Sequence, residues 1–492
     1  MIDRRAWRSF DLVLFLTLLA LVAFGVTMIY SATVNTAGVG NPVQRQSIYF
    51  LVGLALFLLA ATFDYTLLSI PQHPIALLTP LVLLFAQAAI LVNWRASALK
   101  ESGLTLAAAD LRPDILPLLL GALLVAVVFL ADRAWLRALD LPLTKALALA
   151  GALAAALLVT YLFTRFEPGR ILALRTYLAP VALAALYAVD CLTLRFTDVL
   201  RNPLYVLILA LLGLTLEVGQ VAGGAQSWLG AGAVQPSELS KILLVVVLAH
   251  YFAEHEQQMD RIGTVLTSLL VVAVPALLIY SQPDLGTALT LVPLWAAIAW
   301  MAGLRLRHLF FMVLAGLGAL PIAWFGLQDY MRDRLMLFID PESDPDSYFN
   351  VHQSLVSIGS GGLFGKGLTK GSQSQLHFLR VRHTDFIFAV TAEELGFAGA
   401  AALIALLGLL IWRMLSVAAR SRDTFGRLLA SGIAAIVLFQ TVINIGMNLG
   451  ILPVTGLPLP FVSYGGSSLV TLMFGAGLVE SVAIRHKKLE FD

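Results

Sequence analysis

Arg382-His-Thr-Asp-Phe-Ile-Phe388 puts a carboxylate, Asp385, at the end of a polar loop and the start of an apolar run. Two kinds of chemistry fit that position. Aspartate is favoured as a helix N-cap, where its oxygens bond the amides two or three residues on. A carboxylate half-desolvated by Phe386 and Phe388, yet close to Arg382 and His383, has its pKa pulled both ways, the tuning a general base requires. The residue types alone leave both readings open.

Other ionisable groups sit in apolar runs of the C-terminal half, where each costs about 2.5–3.5 kcal/mol to insert and so is paired or functional. Glu238 and Lys241, in Gln235-Pro-Ser-Glu-Leu-Ser-Lys241, share one helix face. They read either as an intrahelical ion pair or as a lysine facing a polar cavity to bind phosphate. Asp284, in Gln282-Pro-Asp-Leu-Gly-Thr287, stands where capping of a helix start accounts for it. Glu393 and Glu394 fall about two turns inside the helix beginning near Phe386, where one of them is expected to pair with a cation such as Lys241. Trp228 is an interfacial anchor or an aromatic platform for a ring. Lys366 and Lys370 lie in the glycine-rich stretch from Ile358 to Gly371. The segment from Gly456 to Ser468 is broken by prolines and glycines. Irregular backbone at membrane depth persists only where it is buried in protein or lines a cavity, so this segment is expected to wall a site.

Positioning these groups falls to helices in lipid. The 492 residues are 59% hydrophobic and 13% charged, and the mean hydropathy is +0.87. The composition predicts an all-α integral membrane protein, a polytopic bundle of about fourteen spans. Their bounds read 11–31, 47–63, 74–93, 115–131, 143–163, 172–190, 203–219, 237–254, 262–281, 283–301, 307–326, 386–412, 427–448 and 463–484. The first, with a basic lead from Met1 to Arg8, is long enough to span and reads as an uncleaved helix. Arginines concentrate in alternate loops, among them Arg133, Arg195, Arg261, Arg305, Arg413 and Arg427. With Arg4, Arg5, Arg8 and the tail Arg485, Lys487 and Lys488, they put both termini in the cytoplasm. The connection 327–385 then falls on the outer face, and loops of that length are usually functional. Net charge of +2 and dispersed basic residues give no nucleic-acid footprint. The single cysteine, Cys191, excludes an intramolecular disulfide and a cysteine-rich metal site.

Together these segments resemble the SEDS family of bacterial shape, elongation, division and sporulation proteins, typified by RodA and FtsW. The likeness rests on Gln235 to Lys241, Pro283-Asp-Leu-Gly-Thr287, the run Gln353 to Gly371, His383 to Ala389 with Glu393-Glu-Leu-Gly396, and Asn448 to Ser468. It is close from about Gly223 to the end and loose over the first two helices. The family fold has about ten spans, so the resemblance implies one membrane domain over 1–492 with an inserted block of helices within 93–202. Ser227 replaces the family's frequent arginine before the tryptophan, and Arg380-Val381 replaces its Pro-Glu before Arg382.

The resemblance implies a peptidoglycan polymerase acting on lipid II, an undecaprenyl-pyrophosphate-linked disaccharide-pentapeptide, and inverting its α-linked donor to give β-1,4 strands. Asp385 is the implied catalytic residue. Substrate contacts are implied for Trp228, Glu238, Lys241, Asp284, Lys366, Lys370, Arg382, His383, Thr384, Ser463 and Tyr464. A divalent cation, magnesium or manganese, is the one implied cofactor, with Asp385 as its holder the alternative to Asp385 as the base; no organic cofactor is expected. A class B penicillin-binding protein is the implied partner. The stretch Gly371 to Phe378 and the short tails favour elongation over division. A flippase for the same lipid, another lipid-linked glycan polymerase or ligase, and a structural scaffold are the rival readings.

Overall fold

The computed structural model describes residues 9–34, 41–69, 202–218, 220–222, 225–228, 235–327, 329–341, 345–376, 378–379 and 381–485. Two compact units divide the chain, residues 1–70 with 222–492 and residues 71–221. All the candidate residues belong to the first unit. The spans expected at 74–93, 115–131, 143–163 and 172–190, and the inserted helices with them, lie outside the described residues.

Helices α1 (Leu12–Thr33) and α2 (Pro42–Thr62) open the first unit. Asp11 accepts from Leu14 N at 3.0 Å and Asn41 from Gln44 N at 3.2 Å, so each start is capped by a side chain. A 3₁₀ turn, Tyr65–Leu68, follows. The second unit contributes α3 (Pro203–Val218). Past the short strand Ala225–Trp228 come α4 (Pro236–Glu254), α5 (Ile262–Tyr280), α6 (Leu285–Met301) and α7 (Leu306–Gly326). The long connection 327–385 holds α8 (Asp329–Ile339), α9 (Pro345–Ser360) and the single turn α10 (Ser372–Gln375). The chain ends in α11 (Ile387–Ala419), α12 (Thr424–Asn448) and α13 (Gly466–Ile484). Among the described residues seven helices are long and apolar enough to cross a bilayer. The protein is a multi-pass, mostly helical membrane protein.

Within the unit, α13 lies along α2, α11 packs on α12 and α1, and α12 on α6 and α4. Small residues set these approaches. A Cβ on Gly477 would stand 2.5 Å from Phe57 O, and one on Gly25 would stand 2.7 Å from Val462 Cα.

The loop 327–385 is more ordered than its composition suggests. Asp329 to Arg334, with its alternating charge, is the start of a helix. The helix α9 has no counterpart in the hydropathy pattern. Its buried positions are Val351, Ser354 and Ser357, followed by Gly361 past its end, so the face it turns to α11 is made of small and polar residues. Ser354 Oγ donates to Asn448 O at 2.8 Å, and a Cβ on Gly361 would stand 1.9 Å from Ala392 O.

That close approach serves a break in α11. Gly396 adopts φ +68°, in the left-handed region that a side chain disfavours, and the helical ladder opens there. The glycine-rich loop closes it: Lys366 N donates to Glu393 O at 3.0 Å, Gly367 N to Glu394 O at 2.9 Å, and Gly362 O and Leu363 O accept from Phe397 N and Ala398 N at 2.8 and 3.0 Å. These four bonds give partners to polar groups freed by the break, as membrane depth demands.

Candidate active site

Residues 381–386 form a turn whose main chain is held from three sides. Ser463 Oγ donates to Thr384 O at 2.6 Å. Tyr464 N donates to His383 O at 2.9 Å. On α12, Asn444 Nδ2 and Asn448 Nδ2 both donate to Asp385 O, at 3.0 and 2.9 Å. Asn448 Oδ1 accepts from Ala389 N at 3.2 Å, which does for α11 what an N-cap side chain would do. Arg382 Nε donates to Ala32 O at 2.6 Å, at the end of α1.

The Asp385 carboxylate takes no part in this. The N-cap of α11 is Phe386, and no side chain caps it, so capping does not explain the aspartate. Its side chain is half-buried. A Cβ on Gly456 would stand 3.9 Å from Asp385 Oδ2, so the irregular segment passes directly over it. Burial pushes the Asp385 carboxyl above the usual carboxylate range, while the Thr384 hydroxyl and the charge of Arg334, on α8, pull it back. His383 is held below the usual imidazole value by burial and then by Arg382. Its ring lies 5.5 Å from that of Tyr464.

The segment from Leu449 to Gly465 gathers the rest. Phe461, not a glycine, sits at φ +64° within it, a backbone cost borne where surrounding contacts over-determine the conformation. Gln46 Nε2, on α2, donates to Ser463 O at 3.3 Å. Gln235 N, at the start of α4, donates to Ser467 Oγ at 2.7 Å. A Cβ on Gly286, in the first turn of α6, would touch Thr455 O at 2.4 Å. The starts of α2, α4, α6, α11 and α13 therefore meet around one segment, with Asp385 beneath it.

A second polar cluster adjoins this hub. Lys241 Nζ lies 2.7 Å from Glu238 Oε1, the lysine 1% and the carboxylate 3% exposed. The intrahelical pair is what forms, and it is enclosed. Asp284 caps α6 by accepting from Thr287 N at 3.0 Å, with Gln235 Nε2 on its other oxygen at 3.2 Å. Burial raises its pKa, the bonds to Thr287 lower it, and the charges of Glu238 and Lys241 act in opposite senses. Trp228 ends its strand half-buried.

The family model described as cell cycle protein (FtsW, RodA, SpoVE) matches residues 140–488. The chain belongs to the FtsW/RodA/SpoVE family. MrdB of Escherichia coli K12, named a peptidoglycan glycosyltransferase, is 44% identical over 290 residues, which is 58% of this chain and 78% of that protein. RodA of Treponema pallidum, named likewise, is 31% identical over 394 aligned positions, 63% of this chain and 90% of that one. A chain from a solved peptidoglycan synthase complex, described for its coordination of polymerization and crosslinking, superposes with a TM-score of 0.51 at 31% identity, over 75% of this chain and 97% of that one.

Against the motifs of the FtsW/RodA/SpoVE resemblance, the geometry rearranges two assignments. Glu393 does not pair with Lys241; its partner is Lys366, with Nζ 2.9 Å from Glu393 Oε1. Gln373 N and Ser374 N also donate to Glu393, at 2.9 and 3.2 Å, and Thr369 N and Ser374 Oγ to Glu394, both at 3.2 Å. The two carboxylates thus clamp the glycine-rich loop to α11, with Ser31 of α1 bonded to Glu394 as well. Lys366 is spent on that clamp, whereas Lys370 is exposed. Sequence reasoning missed Arg334, Gln46 and the pair Asn444 and Asn448. The last two are two amides four residues apart in an apolar helix, a signal legible in the sequence, but their partners lie about sixty residues away.

Proposed function

We propose that this chain is a peptidoglycan glycosyltransferase that lengthens glycan strands from lipid II on the outer face of the cytoplasmic membrane, with Asp385 as the general base. One observation carries the reading: within a turn whose backbone is pinned on every side, the one carboxylate is left out of capping, kept part-desolvated and covered by Gly456. The names of the relatives support the same activity.

The step this geometry suits is a single displacement. The acceptor hydroxyl loses its proton to Asp385 as its oxygen bonds the anomeric carbon, and the bond from that carbon to the pyrophosphate oxygen breaks on the opposite face. The β-1,4 linkage then follows from an α-linked donor without a covalent enzyme intermediate. The departing pyrophosphate is a competent leaving group and needs positive charge more than a general acid. The charge of Arg334 acts on Asp385, Arg382 stands three residues before it in the same turn, and Lys370 is open to solvent; these three are read as the charge donors. Lys241 and Glu238, with Asp284, hold the wall formed by α4 and α6. Trp228, His383, Thr384, Ser463 and Tyr464 are read as contacts to the sugar chain.

A divalent cation remains part of the proposal only through the substrate. Among the described residues no group of three or more His, Cys, Asp or Glu comes together. A magnesium-like ion commonly takes one or two carboxylates and completes its shell with substrate phosphates and water, so Asp385 and the pyrophosphate would be its donors.

The finer reading is of about fourteen spans, both termini cytoplasmic, one membrane domain with added helices within 93–202, a class B penicillin-binding protein as crosslinking partner, and an elongation role. The likeness to a chain of a solved peptidoglycan synthase complex supports the partner. The test is polymerisation of purified lipid II by the detergent-solubilised chain, with and without its cognate transpeptidase. Glycan chains from wild type and none from a folded Asp385→Asn variant are expected. Chains from both would return Asp385 to a structural role, and none from wild type with its partner would favour a flippase.

A further inference from the structure

At the end of the bundle remote from Asp385, where the start of α1 meets the last turns of α11 and α13, a cavity of about 280 Å³ opens. Its polar lining is Ser9, Asp11, Arg413 and Arg420, and its apolar lining includes Leu12, Val13 and Val417. Asp11 is fully engaged. One oxygen caps Leu14 N at 3.0 Å and the other accepts from Arg413 Nη2. Its own amide donates to Glu480 Oε1 at 2.7 Å, which sets Glu480 behind it and outside the lining. Arg420 Nη2 reaches the same Asp11 oxygen at only 3.9 Å, and its Nε donates to Ser416 O at 3.0 Å.

Among the described residues, one lining carboxylate therefore faces two guanidiniums, and Glu480, behind Asp11, is the second acidic group near Arg413. Arg413 Nε is buried with no hydrogen-bond partner among the described residues. The first turn of α1 adds the positive end of its dipole to the same space. Arg420 meets the lining carboxylate only at 3.9 Å, and planar guanidinium forks fit phosphate oxygens. The mouth is apolar: Leu12 is 62% and Val13 45% exposed on α1, an outer surface that faces acyl chains in a membrane helix.

We propose that this cavity binds a phosphate headgroup, supplied by an anionic phospholipid of the leaflet on that side. Basic pockets between membrane helices hold such headgroups, and here the apolar mouth would receive the glycerol and first methylenes while Arg413 and Arg420 take the phosphate. The site is remote from the reacting atoms. It joins α1 to α11; at its other end α1 sets Ala32 against Arg382, in the turn before α11, and Ser31 against Glu394 of α11.

The experiment is native mass spectrometry with unfolding temperatures on the full chain in detergent doped with phosphatidylglycerol or phosphatidylcholine, and in a third arm with millimolar inorganic phosphate. Wild type is expected to retain phosphatidylglycerol over phosphatidylcholine and to be stabilised by it. Arg420→Gln is expected to lose about fivefold of that preference, the effect of one cation near an anionic headgroup, and Arg420→Lys to keep most of it. Arg420 is half exposed, so its replacement leaves folding in phosphatidylcholine unchanged. Stabilisation by inorganic phosphate alone, lost in Arg420→Gln, would keep the phosphate site and reassign its source to a soluble compound. No preference in wild type, or the same preference in Arg420→Gln, overturns the proposal.

Discussion

Asp385 shows how far one side chain is separated from the duties of its neighbours. Capping of α11 goes to Asn448 from another helix, so the carboxylate is not needed for the fold. Asp385→Asn and Asp385→Ala are accordingly expected to cut lipid II polymerisation by about 10²–10⁴-fold, the range for a lost general base, with unfolding temperatures no lower than wild type. The pH dependence has a definite sign. Burial raises the folded-state pKa, so whatever stability this group contributes is fully present below its unfolded value, about 3.9, and is lost as pH rises through the folded value. At pH 7 the ionised wild type is the penalised form. Asp385→Asn should therefore unfold at the same or a higher temperature at pH 7, and the difference should close on acidification toward pH 3. Polymerisation by wild type should fall on its acid side at a pH above the ordinary aspartate value, because the base must be ionised. A destabilised Asn variant at pH 7 would show that the carboxylate makes a structural bond after all.

At the scale of elements, the site depends on two helices reaching across the sequence. Asn448 bonds Asp385 O, Ala389 N and Asn444 O. Asn448→Ala should cost about 1–3 kcal/mol through the polar groups it strands, and a displacement of the turn by an ångström should cost polymerisation about 10²-fold. A thermal shift assay beside the glycan assay separates the two effects. The glycine-rich loop makes a sharper test. Gly361→Ala forces a Cβ onto Ala392 O, whereas Gly359→Ala meets nothing within 4 Å. The first should expose the loop to limited proteolysis and abolish polymerisation; the second should resemble wild type. The apolar spans were legible because lipid imposes hydropathy on every residue facing it. Helix α9 was not, because its buried face is Val351, Ser354 and Ser357 and its packing depends on closeness instead of apolar area. Asp385 could not be resolved from the sequence alone, since capping and catalysis both ask for an aspartate at the same place. The partner of Glu393 stayed hidden for another reason: a lysine in a glycine-rich loop reads as free until the break at Gly396 draws that loop onto the helix.

For the whole molecule, the sidedness of the bundle decides whether the cluster under the segment from Leu449 to Gly465 faces the compartment that holds lipid II. The break in α11 fixes how this must work. Glu393 and Glu394 lie before Gly396, tied to the loop, and residues 397–419 remain, enough to cross a hydrocarbon core of about 30 Å. Phe364 and Arg422, both exposed, then stand on opposite sides of the membrane. With the single native cysteine removed by Cys191→Ser, Phe364→Cys in intact cells should react with a membrane-impermeant maleimide, and Arg422→Cys should react only after permeabilisation. The reverse pattern would put Asp385 on the cytoplasmic face and exclude a polymerase acting outside. Labelling of both in intact cells would mean a path open to either side, as a transporter needs. Because α11 is the only span between the two positions, the result does not depend on the number of helices within 71–221, and it tests the functional reading separately from the inserted block.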